Sequence, residues 1–367
     1  MTDTTTSPLF TPITLGDVTL ANRVVMAPMT RNRAGAGNVP TEMMVEYYRQ
    51  RATGGLLITE GAQVVPEGQG YPNTPGIHSD TQVAGWRAVT DAVHAAGGRM
   101  ALQLWHVGRI SHPTLQPGGA APVAPSAIRP AGQVFTGTGM QPFVTPRALE
   151  TAEIPGVIAG FAAGARRAIA AGFDLVEIHG ANGYLVDQFL RSGTNHRTDQ
   201  YGGSLENRLR FLVEVATAVA GAVGAGRVGV RLSPTSGFND MSDADPVATF
   251  TAAAAALRPL GLAYLHVIEP IGESWRTPVP AGARITPALK AAFGGPLMAN
   301  GGYLADSATA VLERGEADLV SFGTSFLANP DLPERLRSGA PLNAPDPASF
   351  YGGDARGYVD YPVLQAV

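Results

Sequence analysis

Eight apolar runs alternate with eight helical patterns along this chain of 367 residues, and this alternation constrains the fold more than any other feature. The runs are apolar throughout, which is typical of parallel strands buried on both faces. The apolar runs are Val24–Ala27, Gly55–Gly61, Met100–His106, Leu175–His179, Val228–Pro234, Tyr264–Pro270, Pro296–Gly301 and Leu319–Phe326. The helical patterns are Glu42–Ala52, Thr81–Ala96, Glu153–Ala171, Leu205–Val223, Pro246–Leu257, Thr286–Phe293, Asp306–Arg314 and Leu332–Ser338. A doubly wound α/β sheet alternates in the same way, but eight consecutive units without a composition break favour one closed (β/α)8 TIM barrel.

Two segments outside this alternation predict additions to the barrel. Leu9–Leu20 has the pattern of a short β-hairpin turning at Gly16, and we expect it to plug the bottom of the barrel. Ser111–Arg147, after the third strand, is long and rich in Pro and Gly, and we expect it to run over the active-site face. Because no low-complexity linker interrupts the chain, we interpret residues 1–367 as a single domain.

Composition excludes several classes of function. The net charge of −4, without a basic run, argues against nucleic-acid binding, and no apolar stretch approaches the ~20 residues of a membrane span. Cysteine is absent, which excludes disulfides and thiolate metal sites, and residues 1–8 lack the pattern of a signal peptide. We therefore expect a cytoplasmic protein, a monomer or homodimer, without a metal. The only lysine, Lys290, lies in a helical pattern and not at a strand end, which disfavours a lysine-dependent barrel aldolase. The strand ends also lack a His and carboxylate ligand set, which disfavours a metal-dependent one.

The fourth apolar run ends in a glycine-punctuated turn that carries His179, Asn182 and Tyr184. Residues three apart face the same way if the turn coils helically, so His179 and Asn182 could converge. Two neutral donors at one point suit a carbonyl or nitro oxygen that gains negative charge during a reaction. Tyr184, with a reference pKa of about 10, is protonated at neutral pH and can give up a proton. This pattern predicts an acid site that needs a separate source of electrons.

Motifs over nearly the whole chain carry a family resemblance. They are Pro28-Met29-Thr30-Arg31, Gln103-Leu104-Trp105-His106, His179-x-x-Asn182-x-Tyr184, the run from Asn195 to Arg208, Ala328-Asn329-Pro330-Asp331-Leu332 and Gly357-Tyr358-Val359-Asp360-Tyr361-Pro362. In order and spacing they resemble the Old Yellow Enzyme family of FMN-dependent ene-reductases, which are TIM barrels. The chain looks closest to the bacterial branch that includes pentaerythritol tetranitrate and N-ethylmaleimide reductases.

The resemblance implies non-covalently bound FMN and a set of residues that hold it. Thr30 would hydrogen-bond flavin O4, Gln103 would contact the pyrimidine edge, and Arg231 would lie near N1 and O2, where negative charge accumulates on reduction. The backbone of three residues would line the flavin ring: Pro28, Met29 and Gly61. The phosphate would lie against the turns after strands seven and eight, which contain Asn300, Gly301, Gly302, Gly323 and Thr324.

The resemblance also implies a reaction. NAD(P)H reduces FMN and leaves; an α,β-unsaturated carbonyl or nitro compound, or a nitrate ester, then takes the electrons. For an activated alkene, His179 and Asn182 would hold the substrate oxygen, hydride would pass from flavin N5, and Tyr184 would protonate the α carbon. Candidate pocket walls are Trp105, Tyr71, Asn239, Phe143 and Tyr358. An NAD(P)H:quinone reductase or NAD(P)H oxidase without a dedicated alkene substrate stays open as the alternative, because those activities use the same reduced flavin.

One position departs from the family pattern. Thr324 stands after the glycine of the eighth strand, where the family usually has Arg. Arg can bind a phosphate bidentately, whereas a Thr hydroxyl offers one neutral hydrogen bond. We therefore expect either that FMN is held less tightly than in typical relatives, or that another Arg from a nearby loop replaces the missing cation.

Overall fold

The computed structural model describes residues 7–269 and 284–365, and eight parallel strands in it close into a barrel. All strands of the described residues, inside and outside the barrel, are β1 (Ile13–Leu15), β2 (Val18–Leu20), β3 (Val24–Met26), β4 (Leu56–Gln63), β5 (Met100–Trp105), β6 (Val123–Ala124), β7 (Gln133–Phe135), β8 (Met140–Pro142), β9 (Arg147–Ala148), β10 (Leu175–Gly180), β11 (Val228–Leu232), β12 (Tyr264–Ile268), β13 (Leu297–Asn300) and β14 (Leu319–Phe322). The barrel order is β3-β4-β5-β10-β11-β12-β13-β14, closed by pairing of β14 with β3. The predicted TIM barrel is confirmed; Pro270, the end of the sixth predicted run, lies outside the described residues.

At least one helix follows each barrel strand. The helices are α1 (Glu42–Arg49), α2 (Asp80–Ala95), α3 (Ile154–Ala170), α4 (Leu185–Leu190), α5 (Leu205–Val223), α6 (Pro246–Leu257), α7 (Thr286–Phe293), α8 (Ala305–Glu313), α9 (Thr324–Ala328) and α10 (Leu332–Ser338). The sequence did not predict α4 and α9, which are six and five residues long, too short for a clear hydrophobic period. The predicted eighth apolar run, Leu319–Phe326, was therefore too long as a strand: β14 ends at Phe322, and Thr324–Ala328 form α9. Local caps explain several helix starts: Asp245 accepts a hydrogen bond from the Ala248 amide, and Ser204 accepts one from that of Asn207.

The predicted N-terminal hairpin forms and closes one end of the barrel. Strands β1 and β2 pair in antiparallel fashion, with Leu15 opposite Val18. Leu15 and Leu20 are fully buried in one apolar cluster with inward-facing strand residues such as Leu56 and Met298. Each such leucine contributes on the order of 1.5–3 kcal/mol by leaving water. The hairpin therefore acts as an apolar plug at the end of the barrel opposite the C-terminal ends of the strands.

The long segment after β5 lies over the other end of the barrel, as predicted. It contains the β7–β8 hairpin and the short β6, which pairs with β9. Val134 and Phe143 of this segment are buried in a cluster with Trp105 at the end of β5. The segment thus supplies an apolar wall above the C-terminal ends of the strands, where barrel enzymes place their active sites.

A register shift in β4 places Gly61 beside Gln103 and Trp105 of β5. Between Ile58 and Gly61 the pairing with β5 slips, so that Gly61 lies opposite Gln103. A Cβ atom at Gly61 would lie 2.6 Å from the Trp105 ring, so only glycine leaves room for that ring. The bulge therefore fixes how Gln103 and Trp105 sit at the top of the barrel.

No helix within residues 7–269 and 284–365 is long and apolar enough to cross a membrane. The single-domain interpretation of residues 1–367, the cytoplasmic location and the monomeric or dimeric state stay predictions.

Candidate active site

Four of the predicted site residues lie near the C-terminal ends of four barrel strands. They are Gln103 on β5, His179 on β10, Arg231 on β11 and Asn300 on β13. His179 is the register partner of Arg231, and Arg231 donates from Nη2 to Asn300 Oδ1 at 3.0 Å. Asn300 in turn donates to the carbonyl oxygen of Ser321 on β14. The barrel therefore brings an imidazole, a guanidinium and side-chain amides to one edge.

His179 is a buried, neutral hydrogen-bond donor. Its side chain is 5% exposed, and burial, with the positive charge of Arg231 and the nearby His266, holds its pKa well below the ordinary value. The Ala181 amide donates to His179 Nδ1 at 3.3 Å. Because Nδ1 accepts a hydrogen bond, the proton of the neutral ring lies on Nε2. His179 can therefore donate from Nε2 to a ligand oxygen without carrying charge.

The turn after β10 does not coil as a helix. Asn182 adopts a left-handed backbone conformation with φ 58°, and α4 begins only at Leu185. The backbone N–H of Asn182 donates to Ser233 Oγ at 2.7 Å, and the backbone carbonyl of Asn182 accepts from Asn239 Nδ2 at 2.8 Å. The helical turn that the three-residue spacing required is therefore absent, because tertiary hydrogen bonds hold Asn182 in the conformation that Asn tolerates best. Its side chain remains half-buried.

An aromatic cluster surrounds Tyr184. Its ring packs edge-on against Trp105 and against His179, with ring centroids 5.0 Å apart in both pairs. The Tyr184 hydroxyl lies 3.2 Å from that of Tyr71, whose ring stacks on Trp105 at 5.9 Å. Phe143 belongs to the same buried cluster. The structure thus brings together three predicted wall residues with the imidazole and the phenol.

Tyr358 is placed apart from this cluster. Its ring is fully buried and stacks on Tyr47 with centroids 4.1 Å apart. The guanidinium groups of Arg31 and Arg33 lie over the same ring, at 4.9 and 4.4 Å. Arg31 and Arg33 also donate to the carbonyl of Ser349, so this cluster fastens the C-terminal segment to the barrel. We therefore leave Tyr358 out of the proposed pocket, whereas Asn239 lies at its edge through the contact with Asn182.

The residues at the cofactor end of the site fit FMN. The Gln103 amide and the Arg231 guanidinium form a donor and acceptor set for a flavin pyrimidine edge. At the other end, Gly301 and Gly302 have φ values of 141° and 89°, and a Cβ at Gly323 would touch only Met29 Sδ, at 3.7 Å. Backbone amides with open space beside them suit a phosphate group.

The remaining predicted cofactor residues follow β3 and β14. Pro28 is buried, while Met29 and Thr30 are half-buried directly after β3, and Thr324 is the first residue of α9. Arg335 contributes to a pocket that Ser325 also lines, but its guanidinium is engaged by Asp331 and by the carbonyl oxygens of Pro341 and Pro362. Arg335 is therefore not placed to substitute for the phosphate-binding Arg that the family usually has at position 324.

Three polar residues that the sequence reasoning missed lie directly beneath this site. Glu177 accepts a hydrogen bond from Gln103 Nε2 at 2.8 Å, and its other oxygen lies 2.8 Å from His266 Nδ1. His266 Nε2 lies 2.8 Å from Ser321 Oγ. A signal was available, because Glu177 precedes His179 by two on one strand and therefore faces the same interior.

The amide, the guanidinium, the neutral imidazole and the glycine turns at the C-terminal end of this TIM barrel fit a flavin-dependent oxidoreductase. Residues 8–343 match the model of the NADH:flavin oxidoreductase / NADH oxidase family. The chain belongs to this family, whose members include the Old Yellow Enzyme homologues.

Individual relatives agree over nearly the full length. Putative 12-oxophytodienoate reductase 11 of Oryza sativa subsp. japonica is 46% identical, over 98% of this chain and 98% of the relative. Morphinone reductase in complex with tetrahydroNAD is 50% identical, with a TM-score of 0.92, over 97% of this chain and 98% of that one. The Old Yellow Enzyme homologue from Zymomonas mobilis is 43% identical, with a TM-score of 0.94, over 97% and 99%.

These similarities confirm the predicted oxidoreductase, its flavin cofactor FMN and its nicotinamide reductant. They do not single out the pentaerythritol tetranitrate reductase branch, and that assignment stays a prediction.

Proposed function

We propose that this protein is an FMN-dependent ene-reductase, which reduces carbon–carbon double bonds activated by a carbonyl or nitro group. The observation that carries the proposal is the contact of a neutral imidazole, His179, with a phenol, Tyr184, inside an aromatic pocket. This pocket adjoins the residues that fit the flavin. The relatives agree with this substrate class, since two of them are named for oxo compounds, 12-oxophytodienoate and morphinone.

His179 binds the activating oxygen in this proposal. Its Nε2–H donates to the carbonyl or nitro oxygen, and the bond strengthens as that oxygen gains negative charge. The side-chain amide of Asn182 supplies the second donor. The backbone of Asn182 is anchored on both sides, by Ser233 and by Asn239, so the amide is presented from a fixed turn. Fixed donors need little reorganisation when charge develops.

Tyr184 supplies the proton. Its hydroxyl is 3.2 Å from that of Tyr71, which is half-buried and lies closer to solvent than the 7%-exposed Tyr184. Trp105 and Phe143 are buried in the same apolar cluster as its ring. When bound, FMN supplies the hydride that it has accepted from NAD(P)H. Gln103 and Arg231 would hold its pyrimidine edge, and the turns at Gly302 and Gly323 its phosphate.

Transient kinetics under anaerobic conditions test the proposal. The yellow protein is reduced with one equivalent of NADH or NADPH and then mixed with 2-cyclohexenone, N-ethylmaleimide, a nitrate ester or a quinone. We expect the alkenes to restore the oxidised flavin spectrum faster than buffer alone and to yield the saturated product. Reoxidation by the quinone or by oxygen, with no acceleration by any alkene, would instead establish the quinone reductase or NAD(P)H oxidase alternative.

A further inference from the structure

A chain of four polar side chains crosses the interior of the barrel. Gln103, Glu177, His266 and Ser321 come from four different strands, are each at most 2% exposed, and are joined by three contacts of 2.8 Å. The interior of such a barrel is normally filled by branched apolar side chains. Burying polar groups costs free energy unless each is hydrogen-bonded, whereas apolar side chains fill such an interior without that requirement. We therefore expect a role of these four side chains beyond packing.

The two oxygens of Glu177 have different partners. One accepts from Gln103 Nε2 and the other from His266 Nδ1. Although burial alone would raise it, the contacts with His266, Arg231 and Gln103 hold the pKa of Glu177 below its ordinary value. His266 Nδ1 faces a Glu177 carboxylate oxygen and therefore carries a proton, while Nε2 lies 2.8 Å from Ser321 Oγ. Burial lowers the pKa of His266, although the Glu177 carboxylate opposes this shift. The result is a buried carboxylate whose ionised form is favoured and which interacts electrostatically with Arg231.

This arrangement fixes the orientation of the Gln103 amide. If the amide were flipped, Gln103 Oε1 would face a carboxylate oxygen at hydrogen-bond distance, and two acceptors would meet. Gln103 Oε1 is therefore the atom left for the cofactor side. The flavin pyrimidine ring carries an N–H group between two carbonyl groups, so an oriented acceptor oxygen is what its edge requires.

We propose that Glu177 is a positioning residue that sets both the affinity and the reduction potential of the flavin. It acts through the orientation of Gln103, and through the partial neutralisation of Arg231. Reduced flavin carries extra negative charge near N1 and O2, so Arg231 favours reduction and Glu177 opposes it. The inference rests on the proposed function for the presence of FMN and goes beyond it in assigning the tuning charge.

The variant Glu177→Gln tests both effects. Its single amide oxygen can serve His266 or Gln103 but not both, so Gln103 loses its fixed orientation and oxidised FMN should bind about tenfold more weakly. Loss of the negative charge should favour the reduced flavin by about tenfold relative to the oxidised form, which raises the midpoint potential by about 30 mV for a two-electron couple. FMN fluorescence titration of the apoprotein and dye-coupled potentiometry of the holoenzyme measure these quantities.

The control variant is Asp318→Asn, which removes one negative charge at the opposite end of the barrel. Asp318 precedes β14 and pairs with Lys290 at 3.0 Å, and it should leave FMN affinity and potential unchanged. Wild-type affinity and potential in Glu177→Gln would overturn the inference. Failure of the wild-type protein to bind FMN would instead refute the proposed function, so the two failures are distinguishable.

A double-mutant cycle decides the matter if Glu177→Gln does not fold. Glu177→Asp keeps the charge but is one methylene shorter, so FMN should bind several-fold more weakly with a smaller change in potential. In a Gln103→Met background, which lacks the amide, Glu177→Asp should have no further effect on FMN affinity. Wild-type affinity in Glu177→Asp, or equal effects in both backgrounds, would overturn the positioning role.

Discussion

A buried ion pair supports the turn after β10, and its removal should destabilise the protein strongly. Asp187 Oδ1 accepts from Arg191 Nε at 2.8 Å, and the two side chains are 0% and 2% exposed. The other Asp187 oxygen accepts the Gly183 amide at 2.9 Å, within the turn that carries Asn182 and Tyr184. Arg191 also donates to the carbonyl of Ser233. The pair therefore joins the turn after β10 to the end of β11.

Asp187→Asn leaves the Arg191 guanidinium buried without its counter-charge. Removing one partner of a buried ion pair costs about 3–5 kcal/mol, because the remaining charge stays desolvated. We expect the free energy of unfolding to fall by this amount in equilibrium urea denaturation, followed by circular dichroism and by flavin fluorescence. Burial raises the pKa of Asp187, so the measurement is made at pH 8 to favour its ionised form.

The matched control is Glu334→Gln on α10. Glu334 pairs with Arg337 at 3.0 Å, but their side chains are 54% and 45% exposed, and exposed pairs contribute less than about 1 kcal/mol. A loss of less than about 1 kcal/mol for Asp187→Asn, similar to that of Glu334→Gln, would refute the reasoning. It would mean that the Ser233 carbonyl and the remaining Asn oxygen compensate the guanidinium.

Three further predictions concern the cofactor, the proton donor and pH. Thr324→Arg should tighten FMN binding by about 1.5–3 kcal/mol, more at low salt, and equal affinity in a fluorescence titration would remove this idea. Tyr184→Phe should slow flavin reoxidation by 2-cyclohexenone about 10²-fold or more while leaving reduction by NADH unchanged; equal reoxidation rates would exclude Tyr184 as the donor. Burial raises the pKa of Glu60 from 4.5 to about 7, so the folded state binds more protons and stability falls as pH rises through that range. Glu60→Gln should flatten this part of the profile in urea unfolding at successive pH values, and an unchanged slope would contradict it.

Local patterns predicted the helices and strands well. The predicted bounds of Leu205–Val223, Pro246–Leu257, Thr286–Phe293 and Leu332–Ser338 are those observed. Their apolar period and terminal signals, such as Pro246 after Asp245, are read within one helix. The short α4 and α9 were missed because five or six residues do not establish a period.

The candidate site was predictable where residues lie near the C-terminal ends of strands, as His179 and Arg231 do. It was not predictable where a distant contact decides the conformation. The backbone of Asn182 is left-handed because Ser233 and Asn239, more than 50 positions away, hydrogen-bond its backbone N–H and its backbone carbonyl. Tyr358, read from its motif as a pocket wall, instead stacks on Tyr47.

The sequence by itself determined the barrel, the strand ends and the chemical types found there, because periodicity and turn glycines are local properties of the chain. Only the tertiary structure decided which buried groups meet. Gln103 and Glu177 are 74 positions apart and Glu177 and His266 are 89 apart, and they touch because barrel closure and the register of each strand bring them into one layer. Register is a collective property of all eight strands, so no single segment encodes the buried charge beneath the flavin site.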